Sequence, residues 1–178
     1  MTARLPAADR RDAAPGAETA VSSLVLVVDD SRVNRLLLHA ILESDGFRVI
    51  EASDGAQGLA AWRDHQPDLV LMDINMPVLD GYEATRRIKA EADTRFVPII
   101  FVTAATDEDS LAECVRAGGD DFISHPVSAV ILLARARALL RTRELYNALD
   151  AERRELAYYR EMMEREQAVA KTLFESVA

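Results

Sequence analysis

The chain has 178 residues, 49% of them hydrophobic and 29% charged, with a mean hydropathy of −0.04 and a formal net charge of −9. One domain of roughly 100–150 residues with a substantial core fits this length, while wholesale disorder, a collagen-like repeat and a membrane span of ~20 apolar residues are excluded. The acidity sits in residues 23–140, with 11 Lys/Arg against 19 Asp/Glu, and no basic stripe appears elsewhere, so direct binding of this segment to nucleic-acid phosphates is not expected.

Residues 1–22 are rich in Ala, Pro, Gly and charge without a period or a signal-peptide apolar core, which predicts a disordered tail and a cytoplasmic protein. From Ser23 onward, apolar runs alternate with amphipathic stretches. Strands are expected at 24–28 (LVLVV), 47–51 (FRVIE), 69–73 (LVLMD), 98–103 (PIIFVT) and 120–124 (DDFIS), with helices at about 31–44, 55–65, 82–91 and 107–117. Gly46 and Gly118-Gly119 read as helix stops, and Pro67 and Pro98 open returns to strands. Runs that are apolar on both faces belong to central parallel strands, so the pattern predicts an α/β, doubly wound sheet covered by helices on both sides. Trp62 and the single cysteine, Cys114, are expected to be packing residues.

After Pro126 neither Gly nor Pro occurs, and one long helix is expected. With Thr142 as heptad position a, the a residues are Thr142, Leu149, Leu156, Met163, Ala170 and Val177, and the d residues are Leu145, Glu152, Tyr159, Glu166 and Leu173. Such a repeat predicts a C-terminal coiled coil over 141–178. The alternative is an exposed amphipathic helix, or one that packs on a further domain.

Function in an open parallel sheet collects at the carboxyl ends of the strands. Here Asp29 and Asp30 follow the first strand, Asp73 ends the third and Thr103 ends the fourth. Three converging carboxylates repel one another unless a hard divalent cation neutralises them, which points to a metal site suited to Mg²⁺. The segment from Asp73 to Gly81 (DINMPVLDG) adds the Asn75 carbonyl, a rigid Pro77 and a Gly81 able to adopt positive φ, and leaves Asp73 accessible. Asp80 and Gly81 are expected to shape the turn and cap the next helix.

The order DD, DINMPVLDG, T followed by A, then DDFI and P resembles the receiver domain of two-component response regulators, over about residues 23–140. The resemblance implies a flavodoxin-like sheet of order 2-1-3-4-5. It implies that Asp73 accepts a phosphoryl group from a histidine kinase or phosphotransfer protein, and that Asp30, Asp73 and the Asn75 carbonyl bind Mg²⁺, with Asp29 acting through water. Thr103 takes the place of the switch hydroxyl, and Phe122 that of an aromatic rotamer switch, for which simple core packing is the alternative. On this reading the chain is a switch rather than an enzyme. A dehalogenase-type phosphatase would need a second Asp at the position of Asn75.

One position departs from the resemblance: receivers carry Lys-Pro after the last strand, and here His125 precedes Pro126. Imidazole is shorter than the lysine stem and only partly protonated near neutrality, so its contact with a phosphoryl group is open. A phosphate-independent receiver acting as a scaffold is the alternative. The resemblance also implies a cis His125–Pro126 bond. The stretch MMEREQAVAKTLFESVA is similar to linkers leading to metal-dependent serine phosphatase domains, and less distinctly to those before diguanylate cyclases, so a fragment of a longer protein is expected. A parallel homodimer would then relay the signal to a downstream effector domain.

Overall fold

The computed structural model describes residues 23–93, 95–104 and 108–177, with side chains through residue 167. Strands β1 (Leu24–Val28), β2 (Arg48–Ala52), β3 (Leu69–Asp73), β4 (Ile99–Thr103) and β5 (Asp121–Ser124) alternate with helices α1 (Arg32–Ser44), α2 (Gly55–His65), α3 (Gly81–Ala92), α4 (Glu108–Arg116) and α5 (Ala129–Val177). Strands and the first four helices fall within one residue of their expected bounds. The tail expected over residues 1–22 lies outside the described residues.

All strand pairs are parallel, and the sheet order is β2-β1-β3-β4-β5. Alternation along each strand builds two cores. Leu26, Val28, Val70, Met72, Ile99 and Phe101 meet Leu59 and Trp62 of α2, Ala84 and Ile88 of α3 and Cys114 of α4. On the opposite face, Val25, Val27, Leu69, Leu71, Ile100 and Val102 meet Leu38 and Leu42 of α1 and Leu132, Ala136 and Leu140 of α5. Burying a side chain of this size contributes about 1.5–3 kcal/mol, so these two layers carry the fold. Trp62 and Cys114 are buried packing residues, as expected.

Side-chain caps set where helices begin. Ser31, Asp54 and Asp80 each accept a hydrogen bond from the backbone N–H three residues on, satisfying a donor that the helix itself leaves open. Gly46 (φ 87°) follows α1 and Gly118 (φ 93°) follows α4, a conformation that glycine adopts without a Cβ clash.

The helix α5 crosses the expected boundary between residues 140 and 141 without a break, and contact with the receiver continues past it. Arg143 pairs with Asp68 at the start of β3, and the Tyr146 ring lies 5.7 Å from that of Phe96. Beyond this point the heptad residues Leu149, Leu156, Tyr159 and Met163 are 53–63% exposed. The side chains of Ala170, Leu173 and Val177 lie outside the described residues. Among the described residues, no helix is long and apolar enough to cross a membrane.

Candidate functional site

The parallel order places the ends of β1, β3 and β4 side by side. Asp29 and Asp30 lead out of β1, Asp73 is the last residue of β3 and Thr103 the last of β4. One carboxylate oxygen from each of Asp29, Asp30 and Asp73 lies within 4.8 Å of the other two. The three acids meet as the sequence predicts.

Their environments differ. Asp29 is 1% exposed, and its carboxylate accepts from the Ser31 N–H at 2.8 Å and the Asn34 Nδ2 at 3.1 Å. Burial raises its pKa, the Ser31 and Asn34 donors oppose this, and the Asp30 charge adds to the rise. His125 also faces Asp29, and its positive form would favour the Asp29 carboxylate. Asp30 is exposed and Asp73 half-buried. Burial, then the Asp29 charge, pushes the Asp73 carboxyl up to about 6, against hydrogen bonds from the Ile74 and Asn75 backbone N–H groups. Among the described residues, no Lys or Arg forms an ion pair with any of the three. An all-oxygen donor set of three carboxylates without an ion-pairing Lys or Arg fits a hard divalent cation.

The loop after β3 holds the site by close backbone contact. The Gly81 N–H donates to the Ile74 carbonyl at 2.9 Å, and a Cβ on Gly81 would lie 2.0 Å from the Asp73 carbonyl oxygen. Gly81 is therefore required by proximity. The positive φ expected for it belongs instead to Val78, at 69°. Asp80 caps α3 through a 2.8 Å bond to the Glu83 N–H, as predicted. Asn75 is exposed.

Thr103 is fully buried, and its carbonyl accepts from the His125 N–H at 3.0 Å. The His125–Pro126 bond is cis, as expected. Phe122 is 36% exposed on β5, between two small clefts of about 160 and 140 Å³, so it is not a core residue. Two residues that sequence reasoning missed also belong to the site. Asn34 holds the Asp29 carboxylate, and the Arg35 guanidinium donates to the carbonyls of Asp29 at 2.7 Å and Asp30 at 3.2 Å. The cap at Ser31, which fixes the first turn of α1, was the available signal for Asn34.

Parallel β/α layers with acids gathered at the carboxyl ends of β1 and β3 define a receiver-type signalling module. The chain belongs to the response regulator receiver domain family, whose model matches residues 25–137. It is 40% identical over 116 residues to Protein PilH of Pseudomonas aeruginosa, covering 65% of this chain and 96% of that protein. It is 36% identical over 121 residues to Response regulator PleD of Caulobacter vibrioides and 40% identical over 117 residues to Transcriptional regulatory protein CseB of Streptomyces avermitilis. These alignments cover 68% and 66% of this chain but only 27% of PleD and 48% of CseB. Among solved structures, it resembles the CheX-CheY-BeF3-Mg complex from Borrelia burgdorferi, with a TM-score of 0.64, 29% identity and coverage of 68% of this chain and 91% of that chain. Receiver domains bind Mg²⁺ at an acidic site and interact with histidine kinases or phosphotransfer proteins and with effectors, and this chain is a receiver of two-component signalling.

Proposed function

We propose that the chain is a cytoplasmic, phosphorylation-controlled switch that accepts a phosphoryl group on Asp73 and has no other enzymatic activity. The convergence of the Asp29, Asp30 and Asp73 oxygens within 4.8 Å, at a half-buried Asp73, carries this reading. An oxygen of the Asp73 carboxylate attacks the phosphorus of a phosphohistidine. The P–N bond breaks, its electron pair returns to the imidazole of the donor, and the new O–P bond makes an acyl phosphate. Asp29, Asp30, Asp73 and the Asn75 carbonyl would hold Mg²⁺, which when bound supplies neutralisation of the phosphoryl and carboxylate charge. The Ile74 and Asn75 N–H groups orient the Asp73 carboxylate, and Thr103 supplies the hydroxyl that responds to the phosphoryl group.

The donor docks on the outer face of α1, where Val33, Leu36 and Leu37 are 47–74% exposed directly after the Asp29–Asp30 loop. The response passes through α5 and a parallel homodimer of its heptad seam to a downstream effector. Mass spectrometry after incubation with a small phosphodonor tests the reading. The expected result is one phosphoryl group, lost in Asp73→Asn and in EDTA; modification that survives Asp73→Asn contradicts it. Because His125 stands where receivers carry lysine, an unmodified wild-type chain would favour a phosphate-independent adaptor.

A further inference from the structure

We infer that Arg35 is a positioning residue for the acidic site, acting on the backbone that carries Asp29 and Asp30 rather than on their carboxylates; this rests on the cation-binding reading above. Arg35 lies on α1, where an arginine ordinarily extends into solvent, yet its side chain is only 15% exposed. One guanidinium nitrogen donates to both the Asp29 carbonyl (2.7 Å) and the Asp30 carbonyl (3.2 Å). The Nε of the same group points to Glu51 Oε2 at 3.3 Å, and the other oxygen of Glu51 lies 2.6 Å from His39 Nδ1. Glu51 on β2 thus anchors the guanidinium, and His39 on α1 anchors Glu51 in turn.

The consequence is geometric. Asp29 continues the β1 ladder through its N–H to the Ala52 carbonyl, whereas Asp30 lies outside both β1 and α1. Its carboxylate is exposed, and Arg35 is the side chain that binds its carbonyl. Holding two adjacent carbonyls on one nitrogen restricts the direction in which the Asp30 side chain leaves the backbone. The planar guanidinium lets this nitrogen serve the carbonyls while its Nε is anchored on Glu51, and lysine, with one nitrogen, cannot be anchored separately in this way. Partners that orient metal ligands from outside typically account for 10–100-fold in metal affinity.

Charge alone would act in the opposite direction. A cation beside the site repels Mg²⁺, so removing Arg35 would tighten binding if its charge mattered more than its bonds. The test is Mg²⁺ titration of the full chain by calorimetry, with thermal melts in EDTA, for wild type, Arg35→Gln, Arg35→Lys and Glu51→Gln. Positioning predicts that Arg35→Gln weakens Mg²⁺ by about tenfold or more and that Glu51→Gln does so by a smaller factor. Arg35→Lys falls between wild type and Arg35→Gln, because its ammonium can still donate to the carbonyls but has no separate Nε for Glu51 to hold. The concentration of Mg²⁺ required for half-maximal phosphorylation rises in the same order. Unchanged or tighter binding in Arg35→Gln overturns the inference while leaving the cation site standing. A wild-type chain that does not bind Mg²⁺ overturns both.

Discussion

The two ends of the sheet treat the same residue type in opposite ways. At the amino end, Asp68 pairs with Arg143 of α5 and accepts the Leu24 N–H at 2.7 Å, while Asp120 pairs with Lys89 at 2.7 Å and accepts the Ile99 N–H at 2.8 Å. At the carboxyl end, Asp29, Asp30 and Asp73 meet one another without an ion-pairing Lys or Arg among the described residues. The first arrangement stabilises the fold with charges from the chain itself. The second leaves the acids without such partners, and burial, then the Asp29 charge, raises the Asp73 pKa.

Glu152 and Glu166 extend the comparison to a third setting, since in the proposed dimer each would face its own copy across the seam. Replacing both with Leu removes like-charge repulsion and adds apolar contact, and should tighten dimerisation by about 100-fold in sedimentation equilibrium. No change in association would remove the heptad seam from the account. At the neutralised end, Asp68→Ala strips Arg143 of its counter-charge and the Leu24 N–H of its acceptor. The expected loss is about 2 kcal/mol, or a melting temperature lower by about 4–8 °C. At the acidic end the sign reverses. In EDTA near pH 7, Asp73→Asn should raise stability by about 1 kcal/mol, a figure reduced for the partial exposure of Asp73. The native Asp73 takes up its proton at about 6, against 3.8 for an ordinary carboxyl, so between those values the native state holds more protons than the unfolded chain. Metal-free stability from this group therefore falls as pH rises through that window. Wild type should be more stable at about pH 5 than at about pH 7 relative to Asp73→Asn. Chemical denaturation of the two proteins at both pH values measures the difference.

Legibility from sequence followed how local the determining interaction is. LVLVV and LVLMD identify central strands because both faces of those strands are covered, and the acids after them are placed once the strands are. The close approach of Gly81 to the Asp73 carbonyl depends on how the loop folds back, so the sequence alone points only to conformational freedom at Gly81, while the positive φ belongs to Val78. Arg35 looks like an ordinary polar position on α1, and only the packing of α1 beside β2 brings it to Glu51, 16 residues away. The Asp68–Arg143 pair joins residues 75 apart and has no local signature. Its contribution explains why the receiver's contacts run past the boundary expected after residue 140.

Mg²⁺ titration of the metal-free full chain by calorimetry near pH 7.5, with Asp73→Asn and Asp68→Asn alongside, tests the contrast between the two ends most directly. The account predicts a saturable site in wild type, weakened by about tenfold or more in Asp73→Asn and unchanged in Asp68→Asn, because only the carboxyl end gathers carboxylates that no Lys or Arg among the described residues ion-pairs. Absence of saturable binding in wild type, or an affinity that Asp73→Asn leaves unaltered, would contradict it.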